Sequence, residues 1–188
     1  MIELNLKNII LNVDFSPIYM GQPESEIVKI LGKPTDRLSS GTGSTILSYG
    51  GYEFGLWDNE LHYFQNDNLR YQYLNHTDGV LFKNNHFKIN TWFITPNKDI
   101  SMKEVILLLE KEQVEFNIEN QKVAGKDYRT GEVKYLQLSN GVSMDFENST
   151  IDFKLSKKGK VLKKTKVLYD NEMDFVLNGI RFDQFRIE

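Results

Sequence analysis

The sequence predicts an α+β fold in which a largely antiparallel sheet carries two small helices and one structural unit is used twice. Three observations predict it. Two short segments share the i, i+3, i+4 apolar spacing of an amphipathic helix: Ile27, Ile30, Leu31 and Val105, Leu108, Leu109. The stretch Gly51 to Gln65 aligns without gaps to Gly141 to Leu155, with Tyr52, Phe54, Leu56, Leu61 and Tyr63 matching Val142, Met144, Phe146, Ile151 and Phe153. Between and around these stretches, short alternating runs are bounded by Asn, Asp and Gly, as strands and turns require.

The elements follow in order. Residues 2–13 alternate partly and read as a strand or a short helix, ended by Phe15-Ser16-Pro17. Gly21-Gln22-Pro23 opens the first helix, with proline suited to a first helical turn. Gly32 stops that helix and Pro34 prevents its continuation. Ser39 to Ser44 reads as a flexible loop. Its glycines lack the lysine and the strand–loop–helix setting of a phosphate cradle. Strands follow near 45–49, 52–57 and 60–66, the last two joined at Asp58-Asn59. The linker 67–100 carries one or two further strands, near 69–74 and 86–94.

Ser101 with Glu104 three residues on has the spacing of a capping box, and starts a helix that reaches about Lys111. Strands are expected near 114–119, 132–138, 142–147 and 150–156, with Asn140-Gly141 as a type I′ hairpin turn. The tail adds strands near 161–168 and 174–186, the second folded at Asn178-Gly179. The whole is one domain, 1–188, made of repeats at about 18–95 and 96–160, with a C-terminal β extension at 161–188.

Composition narrows the function classes. The chain has 188 residues, 40% hydrophobic and 26% charged, enough to bury its core without staples. A net charge of -3 argues against nucleic acid, since neutralising phosphates needs a clustered basic surface. One basic run exists, Lys157, Lys158, Lys160, Lys163, Lys164 and Lys166, and reads as a solvated hairpin edge guarded against mispairing. With no cysteine, thiolate metal sites and cysteine nucleophiles are excluded. No secretory signal and no membrane-length apolar run is visible, so a cytoplasmic location with no membrane partner is expected.

The stretch Met20 to Pro34, with its glycine, acidic helix and closing Leu31-Gly32-Lys33-Pro34, resembles the opening of a β-lactamase-inhibitor-protein-like repeat. Ser44 to Tyr49 and the hairpin after it are similar to that repeat's strands. Together with the later Glu104-Val105…Leu108-Leu109 unit, the chain also resembles small bacterial immunity proteins of toxin loci. Pro23 stands where the family caps with Ser or Thr, and Leu109-Glu110-Lys111 replaces the second Leu-Gly-x-Pro. The resemblance implies two helix-plus-sheet repeats and an inhibitory, non-enzymatic role.

No residue pattern suggests catalysis. His62, His76 and His86 lack metal-ligand spacing, and the carboxylates fall at turns or on outward positions. No cofactor and no metal are expected. The more informative pattern is on the first hairpin. If 52, 54, 56, 61 and 63 face the core, Glu53, Gly55, Trp57, His62 and Phe64 face away from it, placing aromatics where water is expected. Tyr71 and Tyr73, with Trp92, either cover that face or extend it. The candidate partner-binding residues are therefore Glu53, Trp57, His62, Phe64, Tyr71 and Tyr73. The function expected is occlusion of a bacterial toxin or enzyme, encoded beside this chain. The alternative is a small-molecule-binding protein or hydrolase with a pocket under the linker.

Overall fold

A computed structural model of the chain describes residues 1–70, 79–96, 98–122, 132–155 and 161–184. The fold is α+β. Its centre is an eight-stranded antiparallel sheet: β2 (Asp36–Ser39), β3 (Ser44–Tyr49), β4 (Tyr52–Trp57), β5 (Glu60–Asn66), β7 (Phe116–Lys122), β8 (Glu132–Leu138), β9 (Val142–Glu147) and β12 (Val176–Asp183). Their order across the sheet is β2-β3-β4-β5-β12-β9-β8-β7. A second, two-stranded parallel sheet pairs β1 (Ile2–Asn5) with β6 (Phe87–Asn90). Among the described residues, β10 (Ser149–Leu155) and β11 (Val161–Leu168) pair only with each other. The helices are α1 (Leu6–Asn12), α2 (Glu24–Leu31) and α3 (Met102–Lys111).

The helices and the small sheet cover one face of the large sheet. Ile27, Leu31, Val105 and Leu109 are fully buried and share a core with Leu47, Phe54, Leu56, Leu136, Met144, Phe146 and Phe182. Ile30 and Leu108, expected to be buried with them, are only half-buried, because each lies at the border of its helix's contact face. Residues 2–13 are both things the sequence allowed, a strand and then a helix. Asn5 caps α1 by accepting from the Lys7 amide at 2.9 Å, and Val13 closes it in the left-handed region.

Several expectations are corrected. Residues 161–188, read as an appendage, supply β12, which lies in the middle of the sheet between β5 and β9. Asn178-Gly179 does not fold β12 back: the strand runs through it with a bulge, and Gly179 pairs with Asp145. β9 and β10 form no hairpin, since β9 pairs with β8 and β12 while β10 pairs with β11. The turn at Asn140-Gly141 is a three-residue connection. Gly141 donates to Leu138 O at 3.1 Å and takes a positive φ of 88°. The side chain of Asn140 is committed elsewhere, donating to Ile10 O at 2.8 Å and Leu11 O at 3.1 Å at the end of α1. β2, for which no strand is expected and whose last residue Ser39 is read as the start of a loop, pairs with β3 over four residues. The expected strand at 69–74 lies almost wholly outside the described residues.

Candidate functional site

The face of the large sheet opposite the helices is set by register. One row across it reads Leu38, Ile46, Gly55, Tyr63 and Asp183. The next reads Asp36, Ser48, Glu53, Gln65, Arg181, Ser143, Gln137 and Asn117. Trp57 shares this face two positions beyond Gly55 and is diagonal to Ile46, close enough for large side chains to meet. Leu38 is 64% and Trp57 47% exposed. Ile46 and Tyr63 are half-buried.

A bulge decides which aromatics lie here. Leu56 pairs with Leu61 but Gly55 pairs with Tyr63, so His62 is an extra residue and the strand's faces exchange beyond it. Phe64, expected on the open face, is fully buried instead. Its ring packs against Phe15 at 5.5 Å, Phe54 at 5.3 Å and Tyr52 at 5.9 Å. Tyr63, expected in the core, lies on the open face above Gly55. A Cβ at Gly55 would stand 1.8 Å from the Tyr63 ring, so only glycine leaves room for it. Burial raises the Tyr63 hydroxyl above its ordinary pKa, and the charges of Glu53, Asp183 and Asp67 add to this while Arg181 opposes it.

The tip bearing Trp57 is held firmly. Asp58 and Asn59 both take positive φ, 48° and 71°, as a type I′ turn requires. Asp58 donates its amide to Gly43 O at 3.1 Å, and Glu24 donates to Asn59 O at 3.1 Å. Leu61 and Gln22 bond through the backbone at 3.0 Å. The side chain at 57 is thus presented by a tip tied to both the β2–β3 loop and the start of α2. Asp58 and Glu60 stand beside it, both exposed, while Asp36 and Glu53 lie four positions along the strands on the same face, where Glu53 accepts from Gln65 at 2.6 Å.

The described part of the linker, 67–70, leaves β5 from the end opposite this tip. Leu69 donates to Asn178 O at 3.1 Å, and Arg70 pairs with Glu147 and the Ser149 carbonyl. There the face is closed and more buried. Asp145, held by Asn178 at 2.7 Å, has its carboxyl pushed up to about 6, first by burial and then by Asp67 and Glu147, with the Asn178 bond and Arg181 opposing. Trp92 belongs to the opposite layer, under the Lys7 ammonium at 5.5 Å. Of the expected residues, Glu53 and Trp57 share the open face, His62 is the bulge residue, Phe64 is core, and Tyr71 and Tyr73 lie outside the described residues. Leu38, Ile46, Tyr63 and Asp183 were not expected. The bulge and the central position of β12 bring Tyr63 and Asp183 together, and neither leaves a local signal in sequence.

Among the described residues, no group of three or more His, Asp or Glu side chains could hold a metal ion, and no helix is long and apolar enough to cross a membrane. No protein-family model matches the chain, and no curated protein sequence matches it. Among solved structures, it matches the 1.5 Å crystal structure of an extracellular protein containing a SCP domain from Bacillus anthracis str. Ames. The TM-score is 0.34 and the identity 12%, over 87% of this chain and 43% of that one. The chain therefore spans less than half the length of that protein, and a likeness at this level carries no argument.

Proposed function

We propose that this chain is a non-catalytic immunity or inhibitor protein that occludes a bacterial toxin or enzyme, acting in the cytoplasm on the product of a neighbouring gene. The observation that carries the reading is Trp57: a large aromatic, 47% exposed, on a rigid hairpin tip beside Leu38 and Ile46. An exposed aromatic anchor inside a polar rim is the usual composition of a binding hot spot. The rim is acidic, with Asp36, Glu53, Asp58, Glu60 and Asp183 against the Arg181 guanidinium, so the partner surface that fits is basic. We read α2 with β2–β5, and α3 with β7–β9, as the two repeats of a β-lactamase-inhibitor-protein-like arrangement. The element order supports that reading, and β12 then takes the place that the fourth strand holds in the first repeat.

The test is affinity for the neighbouring gene product. Trp57→Ala is expected to weaken binding by about 2 kcal/mol or more, roughly thirtyfold, with thermal stability unchanged. Charge removal at Glu60 or Asp58 should act on the association rate and its salt dependence. Equal affinities for wild type, Trp57→Ala and Leu38→Ala would exclude this face. Turnover of a small substrate with no binding of the neighbouring product would exclude the class.

A further inference from the structure

We propose that β2 is a docking edge, to which the protein partner adds an extended basic segment as a further strand of the large sheet. This rests on the reading of the chain as an inhibitor of a neighbouring gene's product. β2 ends the strand order and, among the described residues, pairs with β3 alone. All four of its residues are exposed, Leu38 at 64%. An exposed edge strand presents unpaired backbone groups, and adding a strand to such an edge is a recurring way to bind an extended peptide.

Register shows which groups face outward. Ser40 donates to Ser44 O at 2.9 Å, and ladder bonds in an antiparallel pair fall on alternate residues. Leu38 opposite Ile46 is therefore the next bonded pair, and Arg37 and Ser39 turn their N–H and C=O groups away from β3. The Arg37 amide agrees, since it donates to Asp36 Oδ1 at 2.8 Å. Natural edges are often guarded by charged side chains, lysine above all. The one cation of β2 is folded back instead. Arg37 lies on the helix side of the sheet, where its guanidinium makes two bonds to Glu24, at 2.7 and 2.9 Å. What covers the outward Arg37 amide is the Asp36 carboxylate, through one bond between adjacent residues.

That cap sets the chemistry of the occupant. Asp36 and Leu38 are the two side chains that β2 places on the open face. A strand added at β2 sets one side chain beside each, at a cross-strand distance of about 5 Å. Beside Asp36 a lysine or arginine fits. It draws the carboxylate off the Arg37 amide, which is then free to donate to the incoming strand. Beside Leu38 an apolar side chain fits, and it continues the row Leu38, Ile46, Gly55 and Tyr63. The occupant is an extended segment with a basic and an apolar residue two positions apart. The exposed acids Asp58 and Glu60 attract the same charge. A second copy of this chain fits less well. Paired with its own β2 it offers Asp36 no cation, because Arg37 is turned to the opposite face and held by Glu24.

The experiment uses the full chain and the neighbouring gene's product. Amide hydrogen exchange is read residue by residue by NMR, free and in complex, beside the affinities of Ser39→Pro, Thr45→Ala and Asp36→Asn. Proline at 39 deletes an outward N–H that the ladder does not use, and proline is tolerated at such a place on an edge strand. It also breaks the contact of the Ser39 and Thr45 hydroxyls at 3.2 Å, which Thr45→Ala breaks without touching the edge. In the complex the Ser39 amide should slow by about a hundredfold. Ser39→Pro should bind at least about tenfold more weakly at an unchanged melting temperature, and Thr45→Ala should bind as wild type. Asp36→Asn should bind more weakly and with a shallower salt dependence. A Ser39 amide that exchanges as fast bound as free overturns the proposal, and that measurement needs no variant to fold. So does full affinity in Ser39→Pro. If Trp57→Ala still weakens binding in either case, the sheet face is the site and the edge is not. No binding of the product by wild type overturns both. Slowing of the Ser39 amide with concentration in the free chain assigns the edge to a second copy instead.

Discussion

Residues 51–65 and 141–155 align position for position, yet the first stretch folds as a hairpin and the second does not. Trp57 and Glu147 close the two leading strands. In the first, Asp58 and Asn59 both enter the left-handed region, and β5 returns beside β4. In the second, Asn148-Ser149 stands at the same point. Serine tolerates positive φ far less readily than Asp or Asn, and no such turn forms there. β10 leaves the sheet, and β12 pairs with β9 in its place. Matching apolar periodicity thus made two equally good strand pairs on paper, and turn chemistry separated them. The consequence reaches the surface. The first stretch presents Trp57 to solvent, whereas the aligned Glu147 is engaged by Arg70.

The largest effect expected from this difference is at the aligned pair Phe64 and Lys154. Phe64→Ala removes a fully buried ring with three aromatic neighbours and should cost about 3–5 kcal/mol in denaturant titration. Lys154→Ala, at an exposed position, should stay within about 0.5 kcal/mol. Two similar small losses would mean that His62 is not the bulge residue and that Phe64 lies outside. Leu109→Ala belongs in the same large class, at about 2–5 kcal/mol, with half-buried Leu108→Ala costing clearly less.

The helices and most strands were legible because each rests on a local pattern. The capping box Ser101/Glu104 is present as its spacing implies, and Gly32 closes α2 with φ of 81°. What was not legible is non-local. A bulge at His62 needs only one extra residue and no special sequence, yet it exchanges Tyr63 and Phe64 between core and surface. The position of β12 is set by competition between β10 and β12 for the edge of β9, which no window of sequence contains. β2 was missed because Asp36–Ser39 is exposed throughout and so has no alternation to detect. Trp57 was placed correctly because it precedes the bulge.

The next effect is at Gly55, whose aligned partner Asp145 lies on the same face of the sheet, at its closed end. Gly55→Ala puts a methyl inside the van der Waals envelope of the Tyr63 ring and should cost about 1–3 kcal/mol. In a Tyr63→Ala background the same change should cost less than about 0.5 kcal/mol, a coupling that a double-mutant cycle reads directly. Additive losses would show that the ring does not rest on Gly55.

At the aligned position the sign reverses. The carboxyl of Asp145, raised from an ordinary 3.8 to about 6, binds its proton more tightly folded than unfolded. Stability therefore falls as pH rises between those values. Asp145→Asn keeps a polar side chain beside Asn178 and removes the buried charge, so at pH 7 it should stabilise by about 1–2 kcal/mol. The gain should vanish below about pH 4, where the wild-type carboxyl is protonated in both states. A loss at pH 7, or a gain independent of pH, would show that Asp145 is held as a stabilised carboxylate.

The smallest effect tests whether the two helices are equivalent. Ser101 accepts from the Glu104 amide at 3.3 Å while Glu104 accepts from the Ser101 amide at 2.9 Å, so α3 has both halves of its capping box. At the same position of α2 stands Pro23, which makes no side-chain cap. The start of α2 is held by tertiary bonds instead, with Glu24 donating to Asn59 O and Glu24 accepting both guanidinium bonds of Arg37 at 2.7 and 2.9 Å. Ser101→Ala should therefore cost about 1 kcal/mol, the usual value of a lost cap. Pro23→Ala removes no cap bond and should cost less. Arg37→Ala, an exposed pair, should cost no more than about 1 kcal/mol and should lose its effect in high salt. If Pro23→Ala proves as costly as Ser101→Ala, the start of α2 depends on the proline's fixed φ, and the two helices begin by different physical means.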